Sequence, residues 1–444
     1  MIKTSAASDA PIVRKQILGL WIQNSPGPTW TLAGMHSLGS YTGSEFMMRA
    51  DTLHPCDLTM EDREAWRTLC ASSPAFSSPL LGPDFAIYVG RFRADALVTI
   101  WRTPTSNGAE RPVAFLPHHR RLGGAAYPLG APLGDYHGPV AIEGFDLGSA
   151  LQVAGLAAYR FTSTIGLPPA ADLREGFLIE VDGPAEVFLE TLRQLRPKSF
   201  KNYRRLGHGL ERTFGPLRVA PVTDKVVFDT LLDWKRQQLA RTGAFDFLRP
   251  AWVNGLLQGL FDDGDPAFGG LLIGLYAGER LVAGHFGLRA GDIYHPWIAS
   301  TDPDLADWAP GHVFLMHAIE AMPRLGLRTY DLGPGHEHYK RLYSLSSRSV
   351  TSGVHFAAGE AGTVMRTAEQ AWVMAGAKGR GMVGRLHRRL EVISASEPTV
   401  LGRLQGYADT VAIAAMRTHS ALGKTRSEPT SDLTSIARPD TRAG

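Results

Sequence analysis

Cysteine is scarce: Cys56 and Cys70 are the only two in 444 residues. A disulfide framework needs more, and no CxxC pair marks a zinc site, so a reducing compartment is expected. Long apolar runs are also missing. FGGLLIGLYAG has the length of a core strand, well short of the ~20 residues of a membrane-spanning helix. The N-terminal MIKTSAASDAPIVRK lacks the apolar core of a secretory signal. An excess of one charge is lacking too: 46 Lys+Arg against 43 Asp+Glu leaves +3, which implies no polyanion partner for the chain as a whole. The expectation is a cytoplasmic protein. Its composition, 44% hydrophobic and 20% charged, suits a globular fold, and its length exceeds one compact core, so two domains are expected.

Residues 1–50 read as a mixed, Gly/Ser-rich extension. Thr59, with Asp62 three residues on, predicts a helix start at TMEDREAWRTLCASS. FAIYVGRF, ALVTIWRT and RPVAFLPHHRRL read as strands, YPLGAPLGDYHGPV as loop with a short strand, FDLGSALQVAGLAAYRF as a helix and GFLIEVD as a strand. Pro197 should split the basic stretch that follows into two helices. Between residues 193 and 212, seven basic side chains face one acid, Glu211. Two amphipathic helices, three antiparallel strands with Gly-rich turns, a helix, a strand, a short helix and a last strand complete a second unit. The first unit has a similar but weaker order. The fold class is therefore α/β (α+β), with boundaries at 51–195 and 196–360. Residues 361–444 read as a helical basic arm ending in a disordered tail, with twelve Lys/Arg against seven Asp/Glu. A solvated arm and a contact with an anionic surface are the two readings of it.

Two stretches carry chemistry. WAPGHVFL places a Pro-Gly turn at a helix start, where unpaired N–H groups and the helix dipole favour anions. Pro310, Gly311, His312, Val313 and Phe314 are the candidate phosphate cradle; an ordinary turn is the alternative. Just upstream, Pro296 marks an edge or bulge that opens a wedge beside His295. The second stretch is DLGPGHEHYK. It is no Walker loop, because Tyr339 precedes Lys340. His336 and His338 flank Glu337 without zinc-protease spacing or a third ligand, so no metal is expected. What remains is Asp331 at a strand end and Tyr339 and Lys340 on a short helix. These suit acyl transfer: an acid to take an amine's proton, a phenol and an ammonium for a leaving thiolate. The alternative is a turn cap and a surface charge. His285 reads as a core histidine. Asp135 and His137 fall in a loop that can face an inter-domain groove.

This order of elements resembles the GNAT N-acyltransferase fold. APGHVFLMHAIEAMPRLGLRTYDLGPGHEHYK resembles the signature of its CelD-like branch, named for cellulose biosynthesis, and so do FSSPLLGPDF, LGDYHGPV and the basic segment. The likeness spans residues 60–357. It implies two tandem GNAT-like domains and acetyl-CoA or another acyl-CoA as co-substrate, with its pyrophosphate on the N–H groups from Gly311 onward. The leading expectation is direct transfer to an amine of a sugar or envelope-polysaccharide precursor, since neither cysteine lies near the site, with Asp331, Tyr339, Lys340 and His295 as catalytic residues. Asp135, His137, Lys201 and Arg205 would bind the acceptor. Ala309 departs from the branch's usual serine, and the commoner GNAT pyrophosphate loop is absent. The tandem layout also resembles Fem-type transferases, whose donor is aminoacyl-tRNA; nucleic acid is a partner only under that reading. A third possibility is a non-catalytic scaffold, with the basic arm contacting polysaccharide machinery at the inner membrane.

Overall fold

The computed structural model describes residues 48–167, 172–242, 246–335, 338–379, 381–408 and 410. His336, Glu337 and the expected tail beyond residue 410 lie outside them. The protein is mixed α/β, built from two repeats of one topology. The first repeat runs β1 (Arg49–Leu53), α1 (Met60–Ala71), α2 (Pro83–Gly90), β2 (Ala96–Pro104), β3 (Glu110–Arg120), β4 (Ala125–Pro128), β5 (Val140–Ala141), α3 (Leu147–Val153), β6 (Ala158–Thr164) and β7 (Asp172–Glu180). Helices α4 (Ala185–Leu195) and α5 (Pro197–Phe214) follow, separated at Pro197 as expected. The second repeat runs β8 (Leu217–Pro221), α6 (Lys225–Thr242), α7 (Ala251–Asp263), β9 (Gly269–Ala277), β10 (Arg280–Ala290), β11 (Ile293–Thr301), α8 (Pro310–Ala321), β12 (Thr329–Pro334), α9 (His338–Tyr343) and β13 (Ser346–Phe356). Helices α10 (Glu360–Met374) and α11 (Met382–Ser396) follow, and residues 400–408 are helical as well.

Local chemistry explains many of these boundaries. The Thr59 hydroxyl accepts from the Asp62 N–H at 3.1 Å and donates to its carboxylate at 2.8 Å, capping α1. Two expected elements are corrected. FAIYVGRF is not a strand but most of α2, which Pro83 starts and whose Phe85 and Val89 enter the core. The end of FDLGSALQVAGLAAYRF is strand β6. Short apolar runs do not distinguish a buried helix from a buried strand by period alone.

All strands join one sheet, in the order β1-β2-β3-β4-β6-β13-β7-β12-β11-β10-β9-β8, with β5 on β3. The order is a palindrome in which the repeats exchange their last strands. β7 pairs with β12, β13 pairs with β6, and the two pair with each other. The boundary expected near residue 195 thus separates helices, while strand pairing crosses it. One face buries a core continuous across both repeats, with Trp66, Phe85 and Phe115 from the first and Phe228, Trp252 and Trp297 from the second. The other face carries separate cores under α4, α5 and α8, and under α3.

The arm beyond residue 360 is not merely solvated. Arg93 and Arg121 donate to the carbonyls of Ser394, Ala395 and Ser396 at the end of α11, and the Trp252 indole also bonds Ser396. Cations at a helix C-terminus meet its partial negative charge.

The second repeat opens where β11 leaves β12. These parallel strands pair only through Ile293–Tyr294 and Thr329–Tyr330. Pro296 cannot donate to a ladder, and there the β10–β11 register slips, with Phe286 opposite Ile298 but Gly287 opposite Pro296. A Cβ on Gly287 would lie 2.0 Å from the His295 carbonyl oxygen. β12 also slips against β7 between Asp331 and Gly333. In the first repeat, β4 and β6 likewise pair over only two residues. That opening is filled by the following loop. His137 bridges to Thr164, its Nε2 accepts from the N–H groups of Thr162 and Ser163 at 3.0 and 3.1 Å, and its Nδ1 bonds the Gly134 carbonyl at 2.9 Å. Burial lowers its pKa to about 4, so it stays neutral.

Candidate active site

The loop that fills the first opening carries Asp135 and Tyr136 to the second. Asp135 Oδ2 accepts from His295 Nε2 at 2.9 Å. His295 Nδ1 lies 3.6 Å from Asp331 Oδ1, an ion-pair contact rather than a close hydrogen bond. Asp331 Oδ1 also accepts from the Tyr136 hydroxyl at 2.8 Å and the Gly333 N–H at 2.9 Å. Asp331 Oδ2 lies 3.5 Å from Arg348 Nη2. The result is a line of alternating charge, Asp135–His295–Asp331–Arg348. Its two inner members are fully buried, while the Asp135 side chain is 36% exposed and that of Arg348 15%.

This arrangement sets the charges. Burial by itself pushes His295 down, but hydrogen bonding and charge from Asp135 and Asp331 outweigh it and raise the imidazole to about 9. Burial pushes Asp331 up; the imidazolium, Arg348 and the Gly333 N–H outweigh it and hold the carboxyl below its usual range. At neutral pH His295 is a cation between two carboxylates. Tyr136 reaches Asp331 only because residue 176 is glycine: a Cβ there would lie 2.3 Å from the Tyr136 oxygen. Tyr136 is fully buried and cannot swing away. Gly176→Ala is expected to destabilise the fold by about 1–3 kcal/mol in chemical denaturation. Gly183→Ala, where an added methyl meets nothing within 4 Å, is the control.

On the other side of the opening, α8 begins after Ala309, whose φ of 47° is left-handed. The expected cradle is narrower than Gly311 to Phe314. Pro310 has no N–H, those of His312 and Val313 both bond the Ala309 carbonyl, and Phe314 lies beyond the first turn. Gly311 keeps an N–H at the helix start. The His312 ring stacks on Tyr203 of α5 at 4.0 Å between centroids, and its carbonyl accepts from the Tyr343 hydroxyl at 3.1 Å. Val313 and Phe314 are buried core.

Residues 197–341 match the Acetyltransferase (GNAT) domain family. No curated protein matches the sequence. Among solved structures, FemX is 12% identical over 72% of this chain and 100% of its own, with a TM-score of 0.47. A tandem GNAT protein from the clavulanic acid biosynthesis pathway is 10% identical over 71% of this chain and 100% of its own, with a TM-score of 0.39.

The matched GNAT segment supplies His295 and Asp331, while Asp135, Tyr136 and Arg348 come from outside it. Within the GNAT segment, α5 lays Tyr203, Gly207 and Gly209 against α8 and Trp308. Its outer face, with Arg193 of α4, lines a groove of about 860 Å³ that includes Lys201, Arg204, Arg205, His208 and Arg212. Lys201 and Arg205 therefore stand on the α8 side of the sheet, away from Asp135. Lys340 is buried, its ammonium donating to the Pro334 carbonyl at 2.9 Å and thereby holding the Gly-Pro-Gly run at the end of β12. Tyr339 packs half-buried against the core that contains Tyr330. His285 is a core histidine bonded to the Tyr330 hydroxyl at 2.6 Å, and burial, with Lys235 adding to it, lowers its pKa to about 3. His137, with both ring nitrogens occupied, supports the loop rather than offering a nitrogen to a substrate.

Sequence reasoning passed over Tyr136 and Arg348. Tyr136 sits inside the LGDYHGPV motif, directly between Asp135 and His137. Arg348 is a lone cation in the strand SSRSVTSGVHF, and only pairing with β7 shows that it faces the site.

No helix among the described residues is long and apolar enough to cross a membrane.

Proposed function

We propose that the protein is an acyl-CoA-dependent N-acyltransferase that moves an acyl group, acetyl being the simplest, directly to an amine of a sugar or polysaccharide precursor. The observation that carries this reading is the Asp135 carboxylate. It is the solvent-reaching end of a buried charged line beside the opening between β11 and β12, inside and next to a GNAT domain. The amine nitrogen attacks the thioester carbonyl, the C–N bond forms, the C–S bond breaks, and Asp135 takes the amine's proton. His295 orients Asp135, and Asp331 anchors His295; fully buried, Asp331 acts through its neighbours rather than on the amine. Tyr339 is the proposed proton donor to the leaving thiolate, and Lys340 holds its turn. The donor's diphosphate would meet the Gly311 N–H at the start of α8.

A second reading, aminoacyl-tRNA as donor, is favoured by one observation: the exposed cations Lys198, Lys201, Arg204, Arg205 and Arg212 on a single helix. Titration calorimetry separates the two. The acyl-CoA reading expects coenzyme A to bind, with little change when Lys198 and Arg212, at the two ends of that helix, become alanine. Silence with coenzyme A, together with tRNA binding that weakens steeply with salt, would replace it by the second.

A further inference from the structure

The two outer ends of the charged line have opposite sign, and only the Asp135 end has a role so far. At the other end, Arg348 projects from β13 opposite Gly176 and lies over the Tyr136 ring, its guanidinium carbon 4.9 Å from the centroid. Its contact with Asp331 is long, 3.5 Å, and Asp331 is shared with His295. Its other polar contact, with the Ser77 hydroxyl, is also long at 3.4 Å. Among the described residues, Arg348 Nε and Nη1 have no acceptor, although both atoms are buried. Buried guanidinium N–H groups are rarely left without one, because each loses water without a replacement. Ser77 itself is exposed, so the guanidinium lies just below the surface where the first repeat's FSSP turn meets β13.

We propose that Arg348, with Ser77, is an anion-recognition point, and that the acceptor is an amine that also carries an anionic group, a carboxylate or a phosphate. The amine faces Asp135 and the anion faces Arg348, with the Tyr136 ring between them. Arginine suits this role because its planar fork matches the oxygens of either anion and stacks on an aromatic face. The buried centre of the line, His295 and Asp331, holds the two ends in fixed register. Charge at both ends also selects against the wrong partner. A neutral amine leaves Arg348 unmet, and an anion without an amine meets Asp135. The proposal rests on the acyl-transfer reading for its consequence, but not for its test.

Glucosamine, glucosamine 6-phosphate and muramic acid are three amines that differ in their anion: none, phosphate and carboxylate. Their binding is measured by calorimetry without a donor, and their acylation by thiol release from acetyl-CoA. The expected result is that at least one anionic amine binds about 10- to 100-fold more tightly than glucosamine. Arg348→Gln removes that preference, bringing the anionic amines level with glucosamine, and Arg348→Lys restores part of it. Whichever amine wins identifies the anion. In the wild-type protein, inorganic phosphate or acetate competes with the preferred amine, which tests the site even if Arg348→Gln fails to fold. Equal binding of all three amines, or equal loss of all three in Arg348→Gln, overturns the proposal and leaves Arg348 as a structural partner of Asp331. Arg348-dependent binding without thiol release from any amine keeps the anion site and removes acyl transfer. Thiol release that ignores the anion does the reverse.

Discussion

Asp135→Asn is expected to lower the rate of acyl transfer by roughly 10²- to 10⁴-fold, the range lost when a positioned general base is removed. The amide keeps an oxygen for His295 Nε2, so the 2.9 Å contact and the loop around it survive. It cannot take a proton. Coenzyme A binding should change by less than about twofold, because Asp135 lies across the sheet from α5 and the start of α8. Single-turnover rates with acetyl-CoA, alongside calorimetry of coenzyme A, check both parts. A variant with full transfer rate would move the base elsewhere, and a variant that lost coenzyme A binding would place Asp135 in the donor site. Either outcome removes the assignment. Asp331→Asn is a weaker probe, because Asp331 is fully buried and its loss disturbs Tyr136, Gly333, His295 and Arg348 together.

The second large effect is on stability. His295→Ala leaves Asp331 buried with one cation fewer, and breaking a buried pair by removing one partner typically costs about 3–5 kcal/mol. The same histidine makes stability depend on pH. Its pKa is raised from the ordinary 6.5 to about 9 in the folded protein. Below the unfolded value both states hold the proton, and the full stabilisation is present. As pH rises toward the folded value the folded state holds the proton more strongly than the unfolded chain, so stability is progressively lost until it is gone above about 9. Urea denaturation midpoints should therefore fall between pH 6.5 and 9. The loss should be on the order of 3 kcal/mol. His295→Gln should flatten that slope. A wild-type midpoint constant across this window would show that His295 is neutral in the folded protein, and the alternating line of charge would be wrong. The two experiments are independent: a neutral His295 would still leave Asp135 free to act on an amine.

Much of this was legible in the chain. Thr59 and Pro197 act through their own backbone geometry, and each starts its helix where the sequence places it, while Pro310 starts α8 inside what reads as a Pro-Gly turn before it. Pro296 cannot complete a ladder wherever it sits, and the register slips beside it. The periods of α6 and α7 and the Gly-rich turns of β9 to β11 likewise fixed element type. Where local signals conflicted, reading failed: FAIYVGRF is apolar enough for a strand, and only its position between α1 and β2 against the core shared by both repeats decides that it is a helix.

The sequence by itself determined most of the elements and their order, and with them the resemblance to the GNAT fold over residues 60–357, because caps, turns and periods are short-range and act through neighbouring residues. It also marked Asp135, His295 and Asp331 as separate candidates. Only the tertiary structure decided that they form one line with Arg348. Asp135 and His295 are 160 residues apart and Tyr136 and Asp331 are 195 apart. Their meeting depends on β7 and β13 changing places between repeats and on a loop of one half closing against the other. Contacts between distant parts of a chain are fixed by which surfaces bury together, and no local pattern of residues records that choice.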